Sequence, residues 1–300
     1  MFGEILFHRS SRLVKRLISH SFGQSGNLFE SIFLDIPPKM CDFLDIEITS
    51  ISSHHLPKEV FRMFRIEWKK IETVGVITMN DGENRHNPDY VRAILTAFDE
   101  IEADQEISSV IIASGDSKHW SLGIDLQWLT GTMEKKNFEA IRAFMYGLNR
   151  IFTRILLYPM PVIAAINGHV FGSGTVLACA CDFRLMKSDR GFFCFPEIDI
   201  SIPFLPGMLA IIRKAVPRHK LDELVFTGKK TGALELAAHH VIFRACENEA
   251  ALMDEVMAFA KTFNKKRAVF GEMKKRLHGK IVEVMEKEDP VFIEPLRLMM

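Results

Sequence analysis

Short apolar runs alternate with amphipathic stretches from about residue 64 onward, and this alternation restricts the fold more than any other feature of the chain. Strands that alternate with helices are typical of βα units and not of all-β or all-helical folds. The pattern predicts buried strands over residues 74–79, 109–113 and 162–166. We therefore expect an α/β fold that becomes mainly helical beyond Pro206.

The helices are predicted from hydrophobic periodicity and from the residues at their ends. Asn87 is a suitable N-cap and Pro88 a suitable first residue for an amphipathic helix that runs to Ala103. Asp125 is the expected cap of the helix that follows the loop at residues 119–125. Further helices are expected from about Gly172 and over residues 136–157, 221–226, 233–238, 247–265 and 269–287.

Composition and charge exclude several classes of protein. The 300 residues are 48% hydrophobic, which is enough to bury a large core, and 38 basic residues balance 38 acidic ones. This balance gives no electrostatic reason to expect a nucleic-acid partner. No stretch reaches the roughly 18 to 20 apolar residues of a membrane-spanning helix. We expect a soluble protein that acts on a small molecule and binds neither nucleic acid nor membrane.

The 5 cysteines form no metal-ligand pattern, and an odd number argues against a framework in which every cysteine is paired. Cys179 and Cys181 lie within an apolar run, so we expect both to be buried structural thiols. The sequence therefore predicts a reducing compartment and no metal site.

Residues 1–62 differ from the rest of the chain. Residues 8–20 are basic, contain serine and lack acidic residues, which resembles an organelle-targeting peptide. An extended or misassigned start is the alternative, because Met40 and Met63 could each begin the chain. In either case we expect this N-terminal segment to carry no chemistry.

Two segments rich in small residues, 119–125 (HWSLGID) and 167–174 (NGHVFGSG), each follow a predicted strand. Small residues at such junctions let backbone N–H groups approach a ligand closely, and two converging donors suit an oxygen that becomes negative during a reaction. A carboxylate, Glu197, follows in the second half of the chain. Together these features predict an oxyanion hole and proton transfer at a carbon next to a carbonyl group.

These segments, with residues 74–79, 181–184 and 196–197, resemble the enoyl-CoA hydratase/isomerase (crotonase) family in order and spacing over roughly residues 64–290. The resemblance implies a crotonase-like spiral of ββα units with a helical C-terminal region, acyl-CoA substrates, and assembly into a homotrimer or a dimer of trimers. It divides the chain into the extension 1–62, a spiral core over 63–215 and a helical oligomerisation region over 216–300.

The resemblance also implies roles for individual residues. It makes Glu197 the catalytic acid/base and the backbone N–H groups of Leu122 and Ser173 the two oxyanion donors. Ser173 stands where many members have glycine. The residues expected to contact the substrate are Ser121, Gly123, Ile124, Asp125 and Gly172.

The positions of acidic residues indicate which reaction of the family to expect. Family hydratases resemble one another in carrying two glutamates, and the first of those positions is Val176 here. Dienoyl-CoA isomerases are similar in using further acids, at positions that are Val176 and Leu205 here. The chain most resembles the single-glutamate Δ3,Δ2-enoyl-CoA isomerases, for which one acid/base is enough. An enoyl-CoA hydratase, an acyl-CoA thioesterase and a non-catalytic acyl-CoA-binding protein are the alternatives.

The expected isomerase needs no cofactor, since coenzyme A is part of its substrate. Apolar neighbours are expected to raise the pKa of Glu197 from its ordinary value near 4.3, with Asp199 as the competing base. His169 either packs locally or acts as an acid/base. The resemblance implies fatty-acid β-oxidation, in the cytoplasm of a bacterium or in the mitochondria or peroxisomes of a eukaryote.

Overall fold

Two β-sheets organise residues 65–298, the part of the chain that the computed structural model describes. The N-terminal extension 1–62, with its expected targeting peptide or alternative start, lies outside these residues. The strands of the described part are β1 (Ile66–Ile71), β2 (Val74–Met79), β3 (Ser109–Ser114), β4 (His119–Ser121), β5 (Val162–Ile166), β6 (His169–Phe171), β7 (Phe183–Lys187), β8 (Phe193–Cys194) and β9 (Arg244–Cys246).

The helices surround these sheets, and most of them were predicted from the sequence. In residues 65–298 they are α1 (Pro88–Ala103), α2 (Leu126–Glu134), α3 (Phe138–Leu156), α4 (Ser173–Ala180), α5 (Pro206–Ala215), α6 (Arg218–Thr227), α7 (Ala233–Ala238), α8 (Glu249–Lys261), α9 (Arg267–Lys287) and α10 (Pro290–Ile293). None of these helices has the length and apolar character needed to cross a lipid bilayer.

The larger sheet has the strand order β1-β2-β3-β5-β7-β9. β1 pairs antiparallel with β2, and the remaining neighbours are parallel. The predicted strand over 74–79 is confirmed as β2, and the prediction over 162–166 is confirmed as β5. β9 was not predicted, because its three residues between helical patterns are too few to show a period.

The central strands β2, β3 and β5 are buried on both faces, which explains why their sequences are almost continuously apolar. Ile77, Ile112 and Ala164 are register neighbours that point into the main core. The residues just before them point to the opposite face, where they pack with Leu252 and Val256 of α8. The sheet is therefore a rigid layer between helices, and its strand ends hold the loops that follow in fixed positions.

The smaller sheet has the order β4-β6-β8, and its strands are parallel. Each of these short strands comes soon after a strand of the larger sheet, and a helix follows it. This repetition is the predicted spiral of ββα units, and a mainly helical C-terminal region follows it. The short strands themselves were not predicted, since two or three residues carry no periodic signal.

Both predicted helix caps are confirmed. The side chain of Asn87 accepts a hydrogen bond from the Tyr90 N–H at 3.0 Å, and Pro88 is the first residue of α1. The side chain of Asp125 accepts from the Trp128 N–H at 3.0 Å and caps α2. Each cap satisfies a backbone donor that has no partner inside its helix.

Candidate active site

The smaller sheet brings three segments of the chain together. β4 pairs with β6, and β6 pairs with β8, so the residues that follow these strands lie side by side. Gly123 follows β4, α4 begins after β6, and Glu197 follows β8 in a short 3₁₀ turn. These are the segments in which the sequence analysis placed the candidate site.

The first two segments approach each other at Gly123. A Cβ atom at this position would lie 2.8 Å from the Phe171 carbonyl oxygen and 2.9 Å from the Ser173 nitrogen. Gly123 also has a φ of 76°, a region that favours glycine. Only a residue without a side chain fits here, so the close contact of the two loops depends on this glycine.

The N-terminal end of α4 offers free backbone donors. Gly172 precedes the helix with a φ of 56° and a ψ of −128°. The first intrahelical bond runs from the Val176 N–H to the Gly172 carbonyl, at 3.1 Å. The Ser173 N–H comes earlier and has no acceptor within residues 65–298. An oxygen that becomes negative is stabilised at such a helix end by free N–H groups and by the helix dipole.

The structure contradicts the prediction that Leu122 supplies the other donor. The Leu122 N–H donates to the carbonyl oxygen of Glu83 at 2.9 Å, so it is not available to a substrate. The Ile124 N–H, two residues later, has no acceptor in the described part of the chain. Ile124 was predicted only as a substrate contact, and it carries the available donor of this loop.

Glu197 lies beside the start of α4. A Cβ atom on Gly172 would be 3.1 Å from Oε1 of Glu197. The other carboxylate oxygen, Oε2, is buried and has no hydrogen-bond partner within residues 65–298. Burial raises the pKa of Glu197 to about 8, and a hydrogen bond from its own backbone opposes the shift. With this raised pKa, the carboxyl group can both accept and release a proton near neutral pH.

Val176 and Leu205, the positions that the sequence analysis compared with the additional acids of the crotonase family, are apolar and buried. Val176 is 0% exposed and lies in the main core on α4. Leu205 is 4% exposed and precedes α5. Phe193 and Phe195, which precede the 3₁₀ turn of Glu197, are fully buried. The chain therefore offers no second carboxylate at these positions, and the segment that leads into the Glu197 turn is apolar and buried.

Two of the residues predicted to contact substrate support the loop instead. Ser121 is fully buried, and its hydroxyl donates to the Asn84 carbonyl at 2.8 Å. Its hydroxyl is therefore already hydrogen-bonded inside the protein. Asp125 caps α2, and its backbone N–H donates to the His86 carbonyl at 2.9 Å. Gly123 and Gly172 lie at the junction of the segments, as described above.

One residue of the site was missed by the sequence analysis. The ring of His86 is fully buried and contacts both Ser121 and Ser173. His86 comes directly before the cap Asn87, and its place in the sequence shows no spacing typical of a site. Only the folded chain brings it to the two predicted loops.

The remaining candidate residues lie in other surroundings. His169 packs against the rings of Phe171 and Phe192, with centroid distances of 5.6 and 5.5 Å. Burial, followed by the nearby His119 and Lys118, lowers the pKa of His169. Asp199 is exposed and lies close to Gly228 in the structure. Neither residue shares the contacts of Glu197 with the start of α4.

The cysteines of the described region are free and buried, which confirms the prediction for Cys179 and Cys181. Within residues 65–298 no group of three or more His, Cys, Asp or Glu side chains is arranged to hold a metal ion.

The chain is similar to proteins named as isomerases. It is 27% identical to an Arabidopsis thaliana protein named enoyl-CoA delta isomerase 2, peroxisomal, over 72% of this chain and 92% of that protein. It is 29% identical to the Homo sapiens protein named Delta(3,5)-Delta(2,4)-dienoyl-CoA isomerase, mitochondrial, over 74% of this chain and 70% of the relative.

The fold is also found in solved structures. A crystal structure of an enoyl-CoA hydratase/isomerase family protein from Pseudomonas syringae matches with a TM-score of 0.70 at 18% identity. The match covers 76% of this chain and 96% of that chain. Residues 69–290 match the model of the enoyl-CoA hydratase/isomerase family. On this evidence the chain belongs to the enoyl-CoA hydratase/isomerase, or crotonase, family.

Proposed function

We propose that the protein is a Δ3,Δ2-enoyl-CoA isomerase that moves the double bond of a 3-enoyl-CoA to position 2. Family membership supports an acyl-CoA substrate. The observation that carries the finer proposal is the position of Glu197, whose carboxylate lies beside the free donors of α4 with one oxygen unpartnered in the described region.

In the proposed mechanism the thioester oxygen accepts hydrogen bonds from the backbone N–H groups of Ile124 and Ser173. Glu197 removes a proton from C2, and the resulting dienolate places negative charge on the bound oxygen. Each preorganised donor lowers the barrier by on the order of 3 kcal/mol. Protonated Glu197 then returns the proton to C4, which gives the 2-enoyl-CoA.

One carboxyl group is sufficient for this reaction, because the proton that leaves C2 is the one delivered to C4. The reaction is redox-neutral, so the proposal needs neither a metal nor a redox cofactor. Addition of water would need a second group to orient the water molecule. The buried side chains of Val176 and Leu205 cannot do this, which favours isomerisation over hydration.

The test is incubation of the purified protein with 3-hexenoyl-CoA, with chromatographic measurement of 2-hexenoyl-CoA. Glu197→Gln keeps the shape of the side chain but removes the base, and it is expected to lower the rate by about 10²- to 10⁴-fold. Asp199→Asn is the matched control, since it neutralises an exposed carboxylate two residues away and is expected to leave the rate within about twofold.

Other products would contradict the proposal in distinguishable ways. Formation of 3-hydroxyhexanoyl-CoA as the main product would assign a hydratase, and release of free CoA would assign a thioesterase. Binding without turnover across several chain lengths would assign a non-catalytic acyl-CoA-binding protein. Full activity of Glu197→Gln would remove Glu197 from the mechanism.

We also propose that the protein assembles as a homotrimer or a dimer of trimers. Val269, Met273 and Leu277 are 62%, 53% and 66% exposed, and their spacing of four places them on one face of α9. An exposed apolar stripe of this kind supports a contact with another subunit. Light scattering in solution measures the mass, and a monomer would contradict the proposal.

The names of the relatives include peroxisomal and mitochondrial proteins. If the source is a eukaryote, we propose one of these two compartments and a role in β-oxidation. If it is a bacterium, we propose the cytoplasm. Fractionation of source cells with antibody detection tests this proposal.

A further inference from the structure

His86 contacts both loops that carry the donors of the proposed oxyanion hole. Its ring nitrogen Nδ1 lies 3.0 Å from the hydroxyl oxygen of Ser173, and Nε2 lies 3.1 Å from the hydroxyl oxygen of Ser121. The residue is 0% exposed, so water does not compete for these contacts. The ring therefore forms a bridge between the last residue of β4 and the first residue of α4.

The hydrogen bonds of this bridge have a defined direction. The Ser121 hydroxyl lies 2.8 Å from the carbonyl oxygen of Asn84, which can only accept, so Ser121 donates there. Ser121 must then accept from the Nε2–H of His86. This leaves Nδ1 as the acceptor for the Ser173 hydroxyl. Burial lowers the pKa of His86 to about 3, so the ring is neutral near neutral pH and holds this one tautomer.

The backbone of His86 holds the other donor. Its N–H donates to the Gly123 carbonyl at 2.7 Å, and its carbonyl accepts from the Asp125 N–H at 2.9 Å. These two bonds lie on either side of Ile124 and form a parallel β-bridge between His86 and Ile124. In such a bridge the N–H of Ile124 itself points away from His86. The main chain of His86 thus holds Ile124, while its side chain holds Ser173.

The ring is itself restrained. It stacks on the ring of Tyr90 in α1 with a centroid distance of 4.3 Å and an interplanar angle of 20°. α1 packs on α3 and on the larger sheet through buried residues that include Tyr90. The His86 ring is therefore held by a helix that packs in the main core, and not only by loops.

We propose that His86 is a positioning residue that sets the distance between the Ile124 and Ser173 N–H groups, so that both reach one thioester oxygen. This inference rests on the proposed function of that site. Ser173, which stands where many family members have glycine, supplies the hydroxyl through which the histidine ring acts. A displacement of about 1 Å in such a donor costs on the order of 10²-fold in rate.

The test uses His86→Phe and Ser173→Ala, singly and together. Phenylalanine fills the space of the ring and keeps the stack on Tyr90 but makes neither hydrogen bond, whereas Ser173→Ala removes the hydroxyl and keeps the backbone donor. Each single variant is expected to lower kcat by about 10- to 100-fold with KM changed by less than about threefold. The double variant is expected to be no slower than His86→Phe alone, because that change already removes the contact that Ser173→Ala breaks.

A conservative variant and a matched control test whether the loss of kcat comes from the hydrogen bond between His86 and Ser173. His86→Asn places an amide oxygen near the position of Nδ1, where it can accept from Ser173, and is expected to recover part of the lost kcat. Ser188→Ala removes a hydroxyl that donates to the Cys246 carbonyl at 3.0 Å, away from the bridge, and is expected to keep the wild-type kcat. Circular dichroism and thermal unfolding establish that each variant is folded.

A second readout does not depend on turnover. The infrared stretching frequency of the thioester carbonyl in bound 2-hexenoyl-CoA falls when two donors polarise it, and this fall is expected to be smaller in His86→Phe and Ser173→Ala. If wild-type protein lowers the frequency but does not isomerise, the proposed reaction fails while the inference about His86 is still tested. Wild-type kcat and wild-type carbonyl frequency in both folded single variants would overturn the inference. If His86→Phe does not fold, Ser173→Ala decides by the same criteria.

Discussion

The carboxylate of Glu197 lies so close to Gly172 that a methyl group on that glycine would be 3.1 Å from Oε1. Gly172 also adopts a φ of 56°, which L side chains rarely adopt. The proposed base and the start of α4 are therefore adjacent, and the absence of a side chain at Gly172 keeps them so.

Gly172→Ala is expected to lower kcat by about 10- to 100-fold, because the methyl group displaces the carboxylate and strains the turn. The strain is also expected to lower the free energy of unfolding by about 1–3 kcal/mol. Gly279→Ala on α9 is the control, since a Cβ there meets nothing within 4 Å. Enzyme assays and denaturant unfolding measure both effects, and wild-type kcat in Gly172→Ala would contradict the proposed geometry.

The raised pKa of Glu197 predicts how activity depends on pH. Only the ionised carboxylate can remove a proton, and burial raises the pKa of Glu197 to about 8. We therefore expect kcat/KM of the free enzyme to rise tenfold per pH unit below this value and to level off above it. A pH profile with 3-hexenoyl-CoA measures the midpoint. A flat profile between pH 5 and 7 would be inconsistent with Glu197 as the base.

The raised pKa of Glu197 also predicts that the free energy of unfolding depends on pH. The pKa rises from the ordinary value of 4.5 to about 8 on folding, so the folded state binds more protons between these values. The stability that proton binding to Glu197 contributes to the folded state is fully present below about pH 4.5. It is lost as the pH rises through about 8. Glu197→Gln should therefore gain stability relative to wild type across this window, by on the order of a few kcal/mol. Urea unfolding of both proteins across this pH window measures the difference, and a difference independent of pH would argue against the shift.

A buried ion pair predicts a large effect on stability outside the site. Nζ of Lys274 lies 2.7 Å from Oδ2 of Asp182, with side-chain exposures of 4% and 12%. The same carboxylate oxygen accepts from the Val162 N–H at 2.8 Å, at the start of β5. Lys274→Met leaves a buried carboxylate without its positively charged partner, which is expected to cost about 3–5 kcal/mol.

Lys280→Met is the matched control for that prediction, because it lies on the same helix. Lys280 is 93% exposed, and its pair with Glu283 spans 3.4 Å, so its loss should cost less than about 1 kcal/mol. Chemical denaturation compares the two variants. Equal losses would show that burial does not govern the strength of these pairs.

Local signals in the sequence were sufficient for much of the fold. The strands over 74–79 and 162–166 were predicted because both of their faces are buried, which leaves nearly continuous apolar runs in the sequence. The caps Asn87 and Asp125 were predicted because a cap acts on backbone donors only a few residues away. The segments of the candidate site were found in the same way, since glycine and small residues mark close backbone contacts.

Long-range contacts decided the rest, and a sequence does not display them. The amide of Leu122 and the amide of Ile124 look equivalent in the chain, and only the carbonyl of Glu83, from a distant turn, determines which is available. His86 reaches Ser173 across 87 positions, so no spacing reveals it. The sequence by itself determined the alternation of strands and helices, their caps and the carboxylate of the candidate site. Tertiary structure determined which donors are free and what holds them, because hydrogen-bond partners are chosen by proximity in space.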